Sequence, residues 1–251
     1  MRLAALAVAG VLLGAGVAAA DEEVGILPSQ PWSFNGPFGT FDRASEQRGF
    51  QVYKEVCSNC HSMKEAYYRN LEGIGLTADQ VKAIASTITV GGDTDDQGNP
   101  VERPATPADH FKSPFPSDKA ARAANGGALP PDQSVIEKAR EGGADYIYAL
   151  LNGYRDAPPD VKMQPGLNYN IWFHGKQIAM AQPLREGSVT YADGTPATLE
   201  QEARDVTTFL TYMAQPEMET RKRMGVKIVL FLTMMTGLTY AVKRKIWADV
   251  H

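Results

Sequence analysis

Cysteine is scarce in this chain: Cys57 and Cys60 are the only two among 251 residues. A framework of several disulfides is excluded, and so is a thiolate zinc site, which needs more soft ligands. Histidine is scarce as well, with His61, His110, His174 and His251 the full set. Basic charge is short through the body of the chain, where residues 21–220 hold 28 acidic against 17 basic side chains. Such a surplus repels phosphates, so nucleic acid is not the expected partner. An acidic globule with basic ends fits a basic protein partner instead. Long apolar runs are limited to the two ends, and no internal repeat is visible.

The first apolar run reads as a secretory signal over residues 1–20. Arg2 supplies the positive start, Leu3 to Leu13 the apolar stretch, and Ala18-Ala19-Ala20 the small-residue cleavage site before Asp21. The second run, Met224 to Val242, spans roughly 28 Å as a helix, close to the thickness of a bilayer's hydrocarbon. Arg221-Lys222-Arg223 precedes it and Lys243-Arg244-Lys245 follows it. Lys227 is its one charge and sits near the entry end, where its stem can snorkel. The expected order is a signal at 1–20, an exported domain at 21–220 and a membrane anchor at 221–251. Export of the globular part places the tail in the cytoplasm, His251 with it.

The chemistry centres on Cys57-Ser58-Asn59-Cys60-His61. Two thiols three positions apart with an imidazole directly after the second form the attachment signature of c-type haem. The sulfurs can form thioethers with the two vinyl groups of one porphyrin, and His61 then turns under the iron. A redox dithiol would sit at a strand-to-helix turn in a βαβ pattern, which is not visible here. One covalently bound haem c is the expected cofactor.

The exported domain reads as mostly helical. Ala44 to Val56 leads into the haem motif, with Asp42 or Ser45 as its cap. Thr77 with Gln80, Ser134 with Glu137, and Thr198 with Gln201 are capping boxes, each predicting a helix start. The second helix should break at Gly142-Gly143, resume through Tyr146, and stop at Asn152-Gly153 on a left-handed cap. The third carries Ala203, Val206, Phe209, Leu210 and Met213 on one face until Pro216. Tyr191 to Thr195 reads as a small hairpin with an Asp-Gly turn. Gly91 to Ala108 reads as a polar surface loop, or as part of an acidic docking patch. The loop Asn125 to Asp132, stiffened by Pro130 and Pro131, could press on a flat porphyrin or serve as an ordinary connection.

A sixth iron ligand would come from His110, His174, Met163, Met180 or Met213. Met213 falls on an apolar helix face, where core packing is the default. Met180 lies in a short apolar loop ending at Pro183, a suitable platform for a thioether. The residues alone leave this choice open.

Several ordered segments resemble the cytochrome c1 family. They are Cys57 to Met63, Arg122 to Asp132 with its Leu-Pro-Pro-Asp loop, Ile178-Ala179-Met180-Ala181, Asp193 to Thr198, and the anchor start Arg221 to Gly225. The resemblance implies a c-type cytochrome fold that is mostly α-helical, with long loop insertions, a small hairpin and one C-terminal transmembrane helix. It implies His61 and Met180 as axial ligands, and Cys57 and Cys60 as thioether positions. Arg140 matches a position contacting a haem propionate, while Asn125, Leu129, Pro130, Pro131 and Tyr146 match positions lining the haem. Some bacterial members resembling this chain have an extra cysteine pair bracing the Met-ligand side, for which no cysteines remain here.

The function implied is single-electron transfer within a quinol-oxidising cytochrome bc1 complex of a respiratory or photosynthetic chain, without enzyme activity of the subunit alone. Implied partners are cytochrome b, a Rieske iron–sulfur protein, a soluble basic cytochrome c and membrane lipid, in a dimeric complex. The implied location is the bacterial inner membrane, with the haem domain on the periplasmic side. Two other readings are a free-standing anchored cytochrome donating to an oxidase or reductase, and a haem peroxidase or gas sensor with an open sixth position.

Overall fold

Two helices meet where a side chain would not fit. In the computed structural model, which describes residues 25–249, helix α1 (Arg43–Glu55) crosses helix α5 (Leu199–Ala214) at Gly49. A Cβ on Gly49 would collide with the backbone of Asp205 and crowd Cβ of Phe209. The close approach lets Phe50 and Tyr53 meet the Phe209 ring at centroid distances of 5.6 and 5.7 Å. Val52, Ala203, Val206 and Phe209 are fully buried there. Asp205 is buried too, and its charge is matched by Arg48, whose Nε donates at 2.8 Å, and by Ser45 Oγ at 2.6 Å. A buried carboxylate persists only with such partners.

The remaining elements surround this pair. They are α2 (Ala78–Ser86), strands β1 (Thr89–Thr94) and β2 (Pro100–Pro104), α3 (Asp118–Ala124), α4 (Gly143–Asn152), strands β3 (Asn168–Tyr169) and β4 (Gln177–Ile178), and α6 (Met218–Ile246). Two antiparallel hairpins, β1–β2 and β3–β4, supply all the strands described. The mostly helical fold is as expected from the sequence. The signal at 1–20 and the final residue His251 lie outside the described residues.

Local capping explains the helices that were legible. Asp42 accepts from the amides of Ala44 and Ser45. Thr77 and Gln80 exchange both bonds of their capping box, at 2.8 and 3.3 Å. Thr198 accepts from Gln201 N at 3.2 Å, and α5 stops at Ala214, two residues before Pro216. Met213 is buried in the core, as its helix face required.

Four local readings are corrected. No helix starts at Ser134, because its hydroxyl accepts from Glu65 N at 2.9 Å, across the chain, and does not cap its own segment. Residues 134–140 form only turns, and α4 begins at Gly143. Gly153 is not left-handed (φ −92°). Glycine is needed there for space, since a Cβ would lie 2.5 Å from Asn170 Oδ1 and 2.7 Å from Trp172 Cδ1. Tyr191 to Thr195 makes its Asp-Gly turn, with Gly194 at φ +75° and Thr195 N bonded to Asp193 Oδ1, but no strands flank it. The longer hairpin lies instead in the stretch read as a loop. There Asp95 Oδ1 accepts from the amides of Gln97 and Asn99, closing the turn between β1 and β2.

The segment before α1 ties the domain to α6. Trp32 Nε1 donates to Asp145 of α4 at 2.7 Å, and the Arg204 guanidinium of α5 lies 5.3 Å from the Trp32 ring centre. Phe41 N and Arg43 Nη2 both donate to Glu219 at 2.9 Å, and Lys222 Nζ donates to the carbonyls of Phe34 and Gly39. From Met224 to Ile246 α6 carries apolar side chains that remain exposed, and it is long and apolar enough to cross a membrane.

Candidate functional site

α1 ends at Glu55, and Cys57 to Asn59 continue it as one tighter turn. His61 N and Cys60 N both bond to Cys57 O, at 2.9 and 3.1 Å, so thiols and imidazole are set by a single backbone corner. Cys57 is half-buried and Cys60 exposed, and both are free thiols. Burial pushes the Cys57 thiol up to about 12. A dithiol exchanging disulfides needs the opposite shift, so this environment disfavours redox work by the thiol pair.

The His61 ring is buried, and its Nδ1 lies 2.8 Å from Pro131 O. Burial lowers its proton affinity below the ordinary imidazole value, against the opposing pull of that carbonyl and of Asp132. The neutral ring therefore donates from Nδ1 and keeps the Nε2 lone pair available. A metal-bound histidine is oriented in this way, with its second nitrogen held by a carbonyl or carboxylate.

Pro131 reaches His61 because Asp132 stitches the loop to the haem-motif segment. Its carboxylate accepts from Ser62 Oγ at 2.6 Å, Lys64 N at 2.9 Å and Ser134 N at 2.9 Å. Gln133 N also bonds to Ser62 O at 2.8 Å. Burial raises the Asp132 carboxyl, but the bonds from Ser134, Ser62 and Lys64 outweigh it and hold the group below the usual carboxylate range. The Cys57–His61 motif and the Leu-Pro-Pro-Asp loop, 70 residues apart in sequence, thus form one unit. Leu129 is exposed, with Asn125 and Pro130 half-buried and Pro131 exposed around it.

A second unit surrounds Met180. Tyr154 Oη donates to Met180 O at 3.1 Å, and Asn168 Nδ2 donates to the same carbonyl at 3.3 Å. Asn168 lies on β3, paired with Ile178 on β4, and Tyr154 bridges to Asn170. Asn170 is fully buried, donating to Leu150 O at 2.8 Å and accepting from Trp172 N at 3.0 Å. Polar bonds and a short strand pair therefore brace this loop in place of a cysteine pair.

Tyr146 and Arg140 join that unit. Burial raises the phenol of Tyr146, partly offset by the nearby Arg140 guanidinium, and the phenol of Tyr154 is raised by burial and then by Tyr146. Tyr146 thus lies within electrostatic reach of both Arg140 and Tyr154. Arg140 is exposed and bonds only to Ala139 O, with no carboxylate partner among the described residues.

The other candidate ligands sit elsewhere or are committed. His110 is exposed, with its ring 3.9 Å from that of Tyr67. Met213 is buried in the α5 core, Met163 is half-buried in the turn before β3, and His174 is exposed between β3 and β4. A hollow of about 240 Å³, lined by Phe50, Tyr53, Tyr68, Phe111 and by Ser58 of the motif, includes none of His61, Pro131 or Met180.

In donor chemistry these residues suit a haem. The chain offers an imidazole in the correct tautomer, two free thiols on the same corner, a thioether on a braced loop, and a guanidinium without an acidic partner for a propionate. Reasoning from sequence missed Asp132, Tyr154, Asn168 and Asn170 as braces. For Asp132 a local signal existed, since an Asp two residues before Ser134 can accept its amide in an Asx turn. Asn170 carries the same signal toward Trp172 N, whereas Tyr154 and Asn168 act across the fold and leave no local pattern.

Known proteins resemble this chain over most of its length. A sequence model of the cytochrome c1 family matches residues 32–250. Cytochrome c1 of Rhodospirillum rubrum is 46% identical, covering 98% of this chain and 97% of its own length. The mitochondrial cytochrome c1 heme protein of Saccharomyces cerevisiae is 50% identical over 89% of this chain and 72% of its own. A protein named cytochrome b/c1 from Bradyrhizobium diazoefficiens is 46% identical over 89% of this chain, which spans 36% of that longer protein. The chain belongs to the cytochrome c1 family.

Proposed function

We propose that this protein is the haem-bearing electron-transfer subunit of a quinol-oxidising cytochrome bc1 complex, a carrier and not an enzyme by itself. The observation that carries the reading is the buried His61 ring, whose Nδ1 is engaged by Pro131 O at 2.8 Å and whose Nε2 is thereby left for iron. Cys57 and Cys60 would form the thioethers to one haem c, and Met180 would be the second axial ligand. Arg140 would meet a propionate, with Asn125, Leu129, Pro130, Pro131 and Tyr146 lining the group. The bound haem supplies reversible one-electron chemistry between ferric and ferrous iron. The weakly donating thioether of Met180 would keep its potential high, and with His61 and Met180 both bound to the iron small-molecule chemistry would be suppressed, unlike in a peroxidase or gas sensor.

Electrons would arrive from a Rieske iron–sulfur protein and leave to a soluble basic cytochrome c. The acidic surplus over 21–220 supports the second step, because it attracts a basic acceptor. The name of the Bradyrhizobium relative, cytochrome b/c1, supports assembly with cytochrome b. Helix α6 would anchor the domain in the bacterial inner membrane, the domain facing the periplasm and the tail the cytoplasm, within a dimeric complex. Purification from native membrane in mild detergent tests this reading. Cytochrome b and a Rieske protein are expected to copurify, with the weak red charge-transfer band of a thioether-ligated ferric haem. A chain that purifies alone would point to a free-standing anchored cytochrome instead.

A further inference from the structure

The turn between Trp32 and Phe41 is closed by bonds from Asn35 N to Trp32 O, Gly39 N to Gly36 O and Thr40 N to Ser33 O. Trp32, Phe34 and Phe41 are buried, whereas Phe38 at the tip is 79% exposed. Single exposed aromatics occur on soluble surfaces, so what covers Phe38 is decided by its position.

The bonds to α6 fix where this tip lies. Phe41 N reaches Glu219, and Gly39 O reaches Lys222, three residues further along α6. These bonds, with that from Lys222 Nζ to Phe34 O, hold the turn against the start of α6, within two residues of Met224, where the exposed apolar surface of α6 begins. Phe38 adjoins Gly39 at the tip of the turn. The composition agrees, since Val24 to Phe41 contains no charged residue. Arg221 and Arg223 stand on the neighbouring helix turn, with a sign that suits lipid phosphates.

We propose that the Asn35–Phe38 tip is a second membrane contact, with Phe38 seated in the lipid interface beside the start of α6. This rests on the reading of α6 as a membrane anchor. The occupant is lipid, because the tip is continuous with a lipid-facing helix and carries no charge to desolvate. With α6 alone the domain could swivel about the helix axis. A second contact off that axis restrains the swivel and holds the haem face at a set orientation to the bilayer.

Site-directed spin labelling of the holoprotein, in its native complex in lipid nanodiscs, tests this. With both native thiols in thioethers, Phe38→Cys, Leu230→Cys and Gln97→Cys each add one labelling site to this subunit, and the labelled wild-type complex supplies the background. Leu230 lies mid-way along α6 and Gln97 at the exposed tip of the β1–β2 hairpin. Collision with oxygen, which partitions into lipid, is compared with collision with a water-soluble nickel chelate. Oxygen should dominate at positions 38 and 230 and nickel at 97. Nickel dominance at 38, with oxygen dominance at 230, overturns the contact while leaving the anchor intact. A label at 38 reached by neither reagent also overturns it, and identifies a protein neighbour as the occupant. Nickel dominance at 230 removes the anchor, and the inference falls with it. Retention of the haem spectrum in each variant shows that folding is unaffected.

Discussion

Tyr154 donates its phenolic hydrogen to the carbonyl oxygen of Met180 across 3.1 Å, joining the end of α4 to a loop 26 residues later. Asn168 supports the same carbonyl from β3. The bond holds the backbone from which the thioether would reach iron. Tyr154→Phe should keep the haem but loosen the loop by about 1 kcal/mol, the net value of one buried hydrogen bond. Loss of Met180 from ferric iron should then become roughly fivefold easier. Titrating the red charge-transfer band against an added ligand such as imidazole measures this. An unchanged midpoint would show that Asn168 alone suffices.

Met180→Leu addresses the ligand itself. Leucine matches methionine in volume, so packing costs should stay below about 1.5 kcal/mol. It offers iron nothing. The variant should retain covalent haem, lose the charge-transfer band, drop sharply in potential and bind carbon monoxide in the ferrous state. A wild-type potential in this variant would mean that another side chain is the ligand.

Asp132→Asn tests the stitch beneath His61. Three donors converge on the carboxylate, two of them on Oδ2. The amide keeps one acceptor oxygen and loses the charge, so about 2 kcal/mol of stability should go. The pH dependence has a definite sign. The native carboxyl is held below its usual range, so its contribution is complete at neutral pH and fades as pH falls through that range and beneath it. The gap between wild type and Asp132→Asn should therefore close on acidification. Melting of the haem Soret band followed from neutral to acid pH would reveal a constant gap if the carboxylate is not responsible.

The sequence was most legible where one residue type does one local thing. Thr77, Thr198 and Asp42 cap helices because their oxygens reach amides two or three residues on. Ser134 carries the same local signal, yet its hydroxyl serves Glu65, a partner 69 residues away. Gly153 looked like a left-handed cap and proved to be a gap for Asn170. Cys57, Cys60 and His61 stood out as candidates because haem attachment imposes a fixed spacing, whereas Met180 was singled out only by resemblance. The supports of the Met180 loop were not legible, because Tyr154 meets Asn170 only through a bridge across the fold and Asn168 reaches the Met180 loop only through the β3–β4 pair.

Glu46 offers a second pH test, away from the haem. It is fully buried on α1, bonded to Arg43 at 2.8 Å, with Oε1 lacking a partner among the described residues. Burial raises its carboxyl to about 7, against the opposing Arg43 charge. The native state then holds this proton more tightly than the unfolded chain does. Its stabilising effect is complete below the ordinary carboxylate range and is lost as pH rises through about 7. Glu46→Gln keeps the shape and cannot ionise. Between pH 5 and 8 the wild type should lose about 1–3 kcal/mol relative to it. Parallel melting curves across that range would rule out Glu46 as the titrating group.

Charge should govern the encounter with the acceptor. The span 21–220 carries 28 acidic and 17 basic residues. Long-range attraction to a basic cytochrome c should accelerate association and leave electron transfer within the docked pair unchanged. Screening acts over about 10 Å at 0.1 M salt. The bimolecular rate for oxidation of the reduced complex, measured by stopped flow, should fall steadily as salt increases. The same experiment with an acidic acceptor should give the opposite slope, because salt then relieves repulsion. Equal slopes for the two acceptors would trace the salt effect to something other than the field of this domain.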